Sequence, residues 1–157
     1  MSMSLARVVS ILAVSAAPLT ELRGGLPLAL ASGFHPASAF FLSFVGNLLP
    51  VLPLLLGLRW MERVLRRSAL LGRCLDWVFA RTRRKGRLIS RYEAIGLVLL
   101  VAIPLPATGA WTGAVAAVLF GIPAKRAFPL IAGGVLVAGV IVLLVSLGTF
   151  RLFGLPW

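Results

Sequence analysis

Apolar residues run through this chain in long blocks, broken at a few short places rich in polar residues, glycine and proline. Leu5 to Ala17 is a short apolar arm interrupted only by Arg7, Ser10 and Ser15. It has the outline of a signal peptide, with Arg7 as a basic start and Ala13 to Ala17 resembling a cleavage site. Pro18 would then follow the cut, where it is a poor residue, and the internal repeat described below needs this arm. The segment Pro18-Leu19-Thr20-Glu21-Leu22-Arg23-Gly24-Gly25-Leu26-Pro27 is polar and broken, and a return arm runs from Leu28 to Gly33 before His35-Pro36. Ala37 to Leu58 is long enough to span a ~30 Å hydrocarbon core at ~1.5 Å per residue. Asn47, Pro50 and Pro53 are expected to bend that span, with Asn47 satisfying the kink.

After a basic stretch the pattern restarts. An apolar arm runs from Glu93 to Ile103, and Pro104-Leu105-Pro106-Ala107-Thr108-Gly109-Ala110-Trp111-Thr112-Gly113 breaks it. An apolar return reaches Gly121, Pro123 and Lys125-Arg126 mark a boundary, and Ala127 to Thr149 is a second full-length span. Shifting the chain by 88 positions superimposes Pro18 on Pro106, Thr20 on Thr108, Gly25 on Gly113, Ala29 on Ala117 and Gly33 on Gly121. Ala39, Phe40, Leu42 and Gly46 fall on Ala127, Phe128, Leu130 and Gly134, making nine identities over residues 18–46 without a gap.

Each arm is ~20 Å long as a helix, too short to cross a bilayer alone. The expected unit is therefore a re-entrant hairpin followed by one crossing, and one net crossing per unit turns the next copy upside down. Pro18, Gly24, Gly25 and Pro27 would form the first hairpin, and Pro104, Pro106, Gly109 and Gly113 the second. The competing layout makes residues 5–33 and 93–121 kinked full spans, giving four crossings and two parallel copies. It would place Arg7 inside but Lys125-Arg126 outside, so the hairpin layout is preferred.

Charge fixes the orientation. The 157 residues carry a net +12, and eleven basic against two acidic residues lie between Arg59 and Arg91. Trp60, Val64, Leu71, Leu75 and Val78 recur there at near-helical spacing, with Glu62 and Arg66 an i,i+4 pair, which reads as a basic amphipathic helix on the membrane surface. Positive residues collect on the cytoplasmic side, so residues 59–91 are expected to be cytoplasmic. Trp60, Trp77, Tyr92 and Trp157 look like interfacial anchors.

The fold class expected is thus an all-α integral membrane protein forming one membrane domain over 1–157. It comprises repeat one at 5–58, a basic linker at 59–91 and repeat two at 93–149. Two spans enclose little space alone, so a homodimer is expected, with membrane lipids as the other partner. A composition of 60% hydrophobic and 13% charged residues, with a mean hydropathy of +1.03, excludes a disordered chain and a soluble enzyme core. Nucleic-acid binding is not expected, because the basic block is flanked by lipid-soluble sequence. One cysteine, Cys74, and one histidine, His35, leave no multi-cysteine or His-rich metal site and no hydrolase triad. Without a phosphate-binding or dinucleotide-binding glycine motif, neither an enzymatic activity nor a cofactor is expected.

Glu21 and Arg23 fall at the apex of hairpin one, where ionisable groups are costly and normally line a cavity or pair. One reading is a Glu21–Arg23 or intersubunit ion pair that holds the hairpin. The functional reading has Arg23 receive an anionic group while Glu21 orients it or carries a proton in low dielectric. Tip two has no charge, but Thr108 and Thr112 offer hydroxyls and a broken helix start offers N–H groups to an anion. Thr20 offers a third hydroxyl, and Trp111 takes the place equivalent to Arg23, either in a cavity wall or as a packing residue. Gly109 and Gly113 make a GxxxG spacing that permits close helix approach.

The two motifs, residues 18–27 and 103–113, resemble those of the small multi-drug export protein family, compact membrane proteins of bacteria and archaea. That resemblance implies drug export in a cytoplasmic membrane. The hairpin-plus-span plan is also similar to the DedA superfamily, which implies movement of lipids such as polyprenyl phosphates. The DedA pattern has arginines in its second hairpin, and this chain has none there. The favoured reading is a transporter or flippase for an amphiphile with an anionic head group. Proton-coupled export of cationic amphiphilic drugs and a non-transporting scaffold are the alternatives.

Overall fold

The computed structural model describes residues 5–65, 67, 93–103 and 108–153. These form seven helices, and no strand occurs among the described residues. They are α1 (Leu5–Ala16), α2 (Glu21–Ala31), α3 (Pro36–Leu48), α4 (Val51–Leu65), α5 (Glu93–Ala102), α6 (Ala110–Leu119) and α7 (Ala124–Leu152). Apolar stretches with few charges make helices here because intrahelical bonds satisfy every interior backbone group without water.

Two stretches are long and apolar enough to cross a bilayer: Pro36–Met61, of 26 residues, and Ala124–Leu152, of 29. Only 33% of the most apolar window of each is buried, whereas a soluble core helix would be mostly covered. α7 leaves Leu136, Val137, Val140, Ile141, Leu144 and Val145 exposed. Apolar area of that extent is stable against lipid and not against water. The protein is a membrane protein.

The first span is bent where proline demands it. α3 gives way to α4 at Leu49-Pro50, and i−4 bonds resume on either side, from Leu49 N–H to Val45 O and from Leu54 N–H to Pro50 O. α4 does not stop at Leu58, where repeat one was expected to end, but runs to Leu65. Arg59 allows this by reaching the Ile122 carbonyl with its guanidinium while its stem stays on the helix. The amphipathic helix and the Glu62–Arg66 pair expected within 59–91 lie largely outside the described residues, as do Trp77, Tyr92 and Trp157.

Helix ends obey the same spacing of 88 as the sequence. Added to the start of α1, the end of α2 and the start of α3, it gives the start of α5, the end of α6 and the start of α7. The turns that close α2 and α6 also correspond. Gly33 and Gly121 both hold positive φ, 82° and 74°, where a glycine costs least. Gly33 and Phe34 donate to Leu30 and Ala29, as Gly121 and Ile122 donate to Val118 and Ala117.

Packing follows suit. α1 lies against α2 and α3, and α5 against α6 and α7. Gly25 and Gly46 press on Ser15 in the first half, while Gly113 and Gly134 press on Val101 in the second. The halves then meet crosswise, α2 and α3 on α7 and α4 on α6. Ile11, Leu22, Leu26, Leu30, Leu55 and Ile131 are the largest side chains sealed in the core.

Candidate functional site

The hairpin turn of the first half is only Ala17–Thr20, shorter than the broken segment expected over 18–27. Gly24, Gly25 and Pro27 lie inside α2, as Gly113 lies inside α6, because glycine there admits a neighbour rather than ending the helix. A side chain at Gly25 would collide with Ser15, and one at Gly113 with Val101. Pro104 and Pro106 lie outside the described residues.

Glu21 opens α2 with a left-handed φ of 48°, a conformation that costs a non-glycine residue about 1–3 kcal/mol. That backbone turn accompanies a buried side chain, 6% exposed, which lies across the start of α6. The Trp111 N–H donates to Glu21 Oε1 at 3.3 Å, with the Ala110 N–H as a second donor. Gly109, the residue 88 positions after Glu21, sits directly beneath the carboxylate, and a Cβ there would overlap it.

Arg23 reaches the same tip by another route. Its Nη2 donates to the Ile103 carbonyl at 3.3 Å and to Thr108 Oγ1 at 3.2 Å, and Thr108 in turn donates to Ile103 at 2.9 Å. Trp111, the residue equivalent to Arg23, crosses the opposite way, its Nε1 donating to the Ala16 carbonyl at 3.1 Å. Residues 23 and 111 therefore each bind the end of the other half's first arm. The tips are latched together from both sides.

Glu21, Arg23, Thr108 and Trp111 thus converge. Thr20 and Thr112 are exposed and serve their own hairpins instead. Thr20 donates to the Val14 carbonyl, and Thr112 Oγ1 accepts the Gly109 N–H at 2.8 Å, closing the first turn of α6. Among the described residues, no three metal-ligating side chains come together.

Between the tips and the spans lies a cleft of about 200 Å³, mouth included, bordered by Glu21, Arg23, Asn47, Gly109 and Val135. Ligand pockets for drug-sized molecules run to roughly 300–1,000 Å³, so in this state the cleft admits water but not an amphiphile. Asn47 does not satisfy the kink below it, as its sequence context suggested. Its Oδ1 is buried and has no hydrogen-bond partner. The signal for this residue was its polarity at a place where the 88-shifted chain has Val135.

Residues 21–141, most of the chain, match the family described as Putative small multi-drug export protein. The chain belongs to that family. No curated protein and no solved structure matches it. The matched region begins at Glu21 itself, just past the first turn, and takes in the second tip, the cleft and the greater part of α7.

Proposed function

We propose that this membrane protein is a proton-coupled transporter or flippase that moves an amphiphile with an anionic, lipid-phosphate-type head group past two re-entrant hairpin tips. The observation that carries the reading is the position of the Glu21 carboxylate. It is an anion held by the N–H groups that open α6, with Arg23 and Thr108 beside it. Helix N-termini and guanidinium groups are what phosphate binds. Glu21 therefore occupies, from within the chain, donors that an external anion would use. A proton on Glu21 removes its charge, weakens its hold on α6 and leaves those donors to a head group. Entry of the head group and protonation of Glu21 are coupled because they compete for one place.

Several features support the inverted-hairpin layout. The equal spacing of helix ends, the two matching glycine caps and the crosswise contacts of residues 23 and 111 all suit two copies related by a pseudo-two-fold axis. Arg59, at the head of the basic block, bonds Ile122 next to Lys125 and Arg126. That pairing suits a second hairpin opening to the cytoplasmic side and not four full crossings. We place the chain in a cytoplasmic membrane with residues 59–91 inside, and propose a homodimer, since two spans enclose too little space for a lipid tail.

A second reading, favoured by the family's export description, has Glu21 hold a cationic amphiphile. Purified protein in vesicles with a pH gradient separates the two. A labelled polyprenyl phosphate should cross faster than in empty vesicles and depend on the gradient. Glu21→Gln should lose that dependence, and Arg23→Ala should lose the movement itself. Faster movement of a cationic dye alone would favour the second reading. If neither cargo moves and both variants fold normally, a scaffold role replaces both.

A further inference from the structure

Asn47 is 3% exposed and borders the cleft from α3 with an unpartnered Oδ1. Such an orphan is destabilising when nothing satisfies it. The fold does not need an amide there, because Val135 fills the equivalent place on α7 and borders the same cleft. Two further lining pairs follow the same spacing, Glu21 with Gly109 and Leu22 with Ala110, and all the side-chain polarity of the lining comes from the first half. Asn47 Oδ1 is an acceptor, and so is the Glu21 carboxylate. Both residues border one small space, and a molecule with two hydrogens to give would satisfy both acceptors. The inner cleft has room for about one water. Arg23 and the positive end of α6 stand against a metal cation in that space.

We infer that Asn47 positions a water that relays protons between the cleft mouth and Glu21. The water gives one hydrogen to the Glu21 carboxylate as it takes one from water at the mouth, and ends unchanged. Release runs the same path backwards. Among the described residues, Glu21 and Arg23 are the only titratable groups bordering the cleft, while α3, α5, α6 and α7 contribute none. The inference rests on Glu21 taking up a proton, and it makes Asn47 a positioning residue rather than a cargo ligand.

The test reads the proton and not the cargo. Protein in vesicles is given a pH jump, and the Glu21 carboxyl stretch, identified as the infrared band missing from Glu21→Gln, is followed in time. Asn47→Val, which copies the second half, should fold as the parent does and reach the same final protonation. Its approach should slow by roughly tenfold or more, since positioned proton-transfer groups contribute about a hundredfold and upwards. Asn47→Ser, which can still hold a water, should recover part of the rate. Asn47→Leu, close to Asn in size, serves if the valine variant misfolds. An unslowed band in Asn47→Val or Asn47→Leu overturns the relay and leaves proton coupling standing. Absence of any titrating Glu21 band in the parent overturns both.

Discussion

The two halves of this protein share a frame and divide the chemistry. At positions 88 apart, helices start and stop together, glycine caps close the same turn, and paired glycines admit the first arm. At the tips the charged side chains all come from one half. Where the first half has Glu21, Arg23 and Asn47, the second has Gly109, Trp111 and Val135. One half supplies charge and the other supplies the space and backbone donors that charge needs. A symmetric pair of glutamates would leave two carboxylates in one site, each in the other's way. The asymmetry is therefore a condition for a working tip.

The shared frame is the easiest part to break, and it should break equally in both halves. A Cβ at Gly46 would lie 2.9 Å from the Leu12 carbonyl oxygen and 3.1 Å from its Cα, so backbone would have to move. At Gly134 the corresponding obstacles are Val98 O at 2.9 Å and Val101 Cβ at 2.6 Å. Gly46→Leu and Gly134→Leu should each lose roughly 3 kcal/mol or more, at the upper end of overpacking costs. Gly133→Leu, one residue away with open space around it, should stay within about 0.5 kcal/mol of the parent. Thermal unfolding in detergent measures all three. Tolerance of leucine at 46 but not at 134 would mean that the halves do not pack alike.

The division of labour breaks at a different glycine. Gly109→Ala should destabilise the tip by about 1–3 kcal/mol, because its Cβ would occupy the place of the Glu21 carboxylate and its φ of 156° suits glycine alone. Removing that carboxylate with Glu21→Ala should relieve the clash. A double-mutant cycle between the two sites should show a coupling of about 1–2 kcal/mol in the compensating sense. Simple additivity would mean that Gly109 is small for a reason other than Glu21.

Much of the frame was legible in the sequence. The apolar blocks give away two long apolar helices and an all-helical membrane protein, because lipid leaves the backbone few choices. The tips were legible as places but not as contacts. A glutamate expected at bilayer depth announces a site, yet nothing in residues 18–27 says that its partner is the backbone of Trp111, some 90 residues on. Gly24, Gly25 and Pro27 read as a break and are helix, since glycine marks close approach as often as it marks a turn. Asn47 read as a kink-filler because its place beside Glu21 in one cleft emerges only once the halves are folded together.

The finest difference lies between Arg23 and Trp111, which do the same structural task with different chemistry. Each donates to the end of the opposite arm, Arg23 to Ile103 and Trp111 to Ala16. Trp111→Phe keeps the ring and removes only the Nε1–H donor, so it should cost about 0.5–1.5 kcal/mol, the net worth of one neutral hydrogen bond. Half-burial of the ring leaves room for water to take over part of that bond, which places the expected loss toward the lower figure. Transport should be almost unchanged, because this donor is taken up by the Ala16 carbonyl and Trp111 does not border the cleft. Arg23→Gln also keeps a donor toward Ile103, and its stability loss should be comparably small, yet its transport should fall because the positive charge is gone. If the two variants lose transport equally, the tip works as a latch alone and charge at position 23 does not select the cargo.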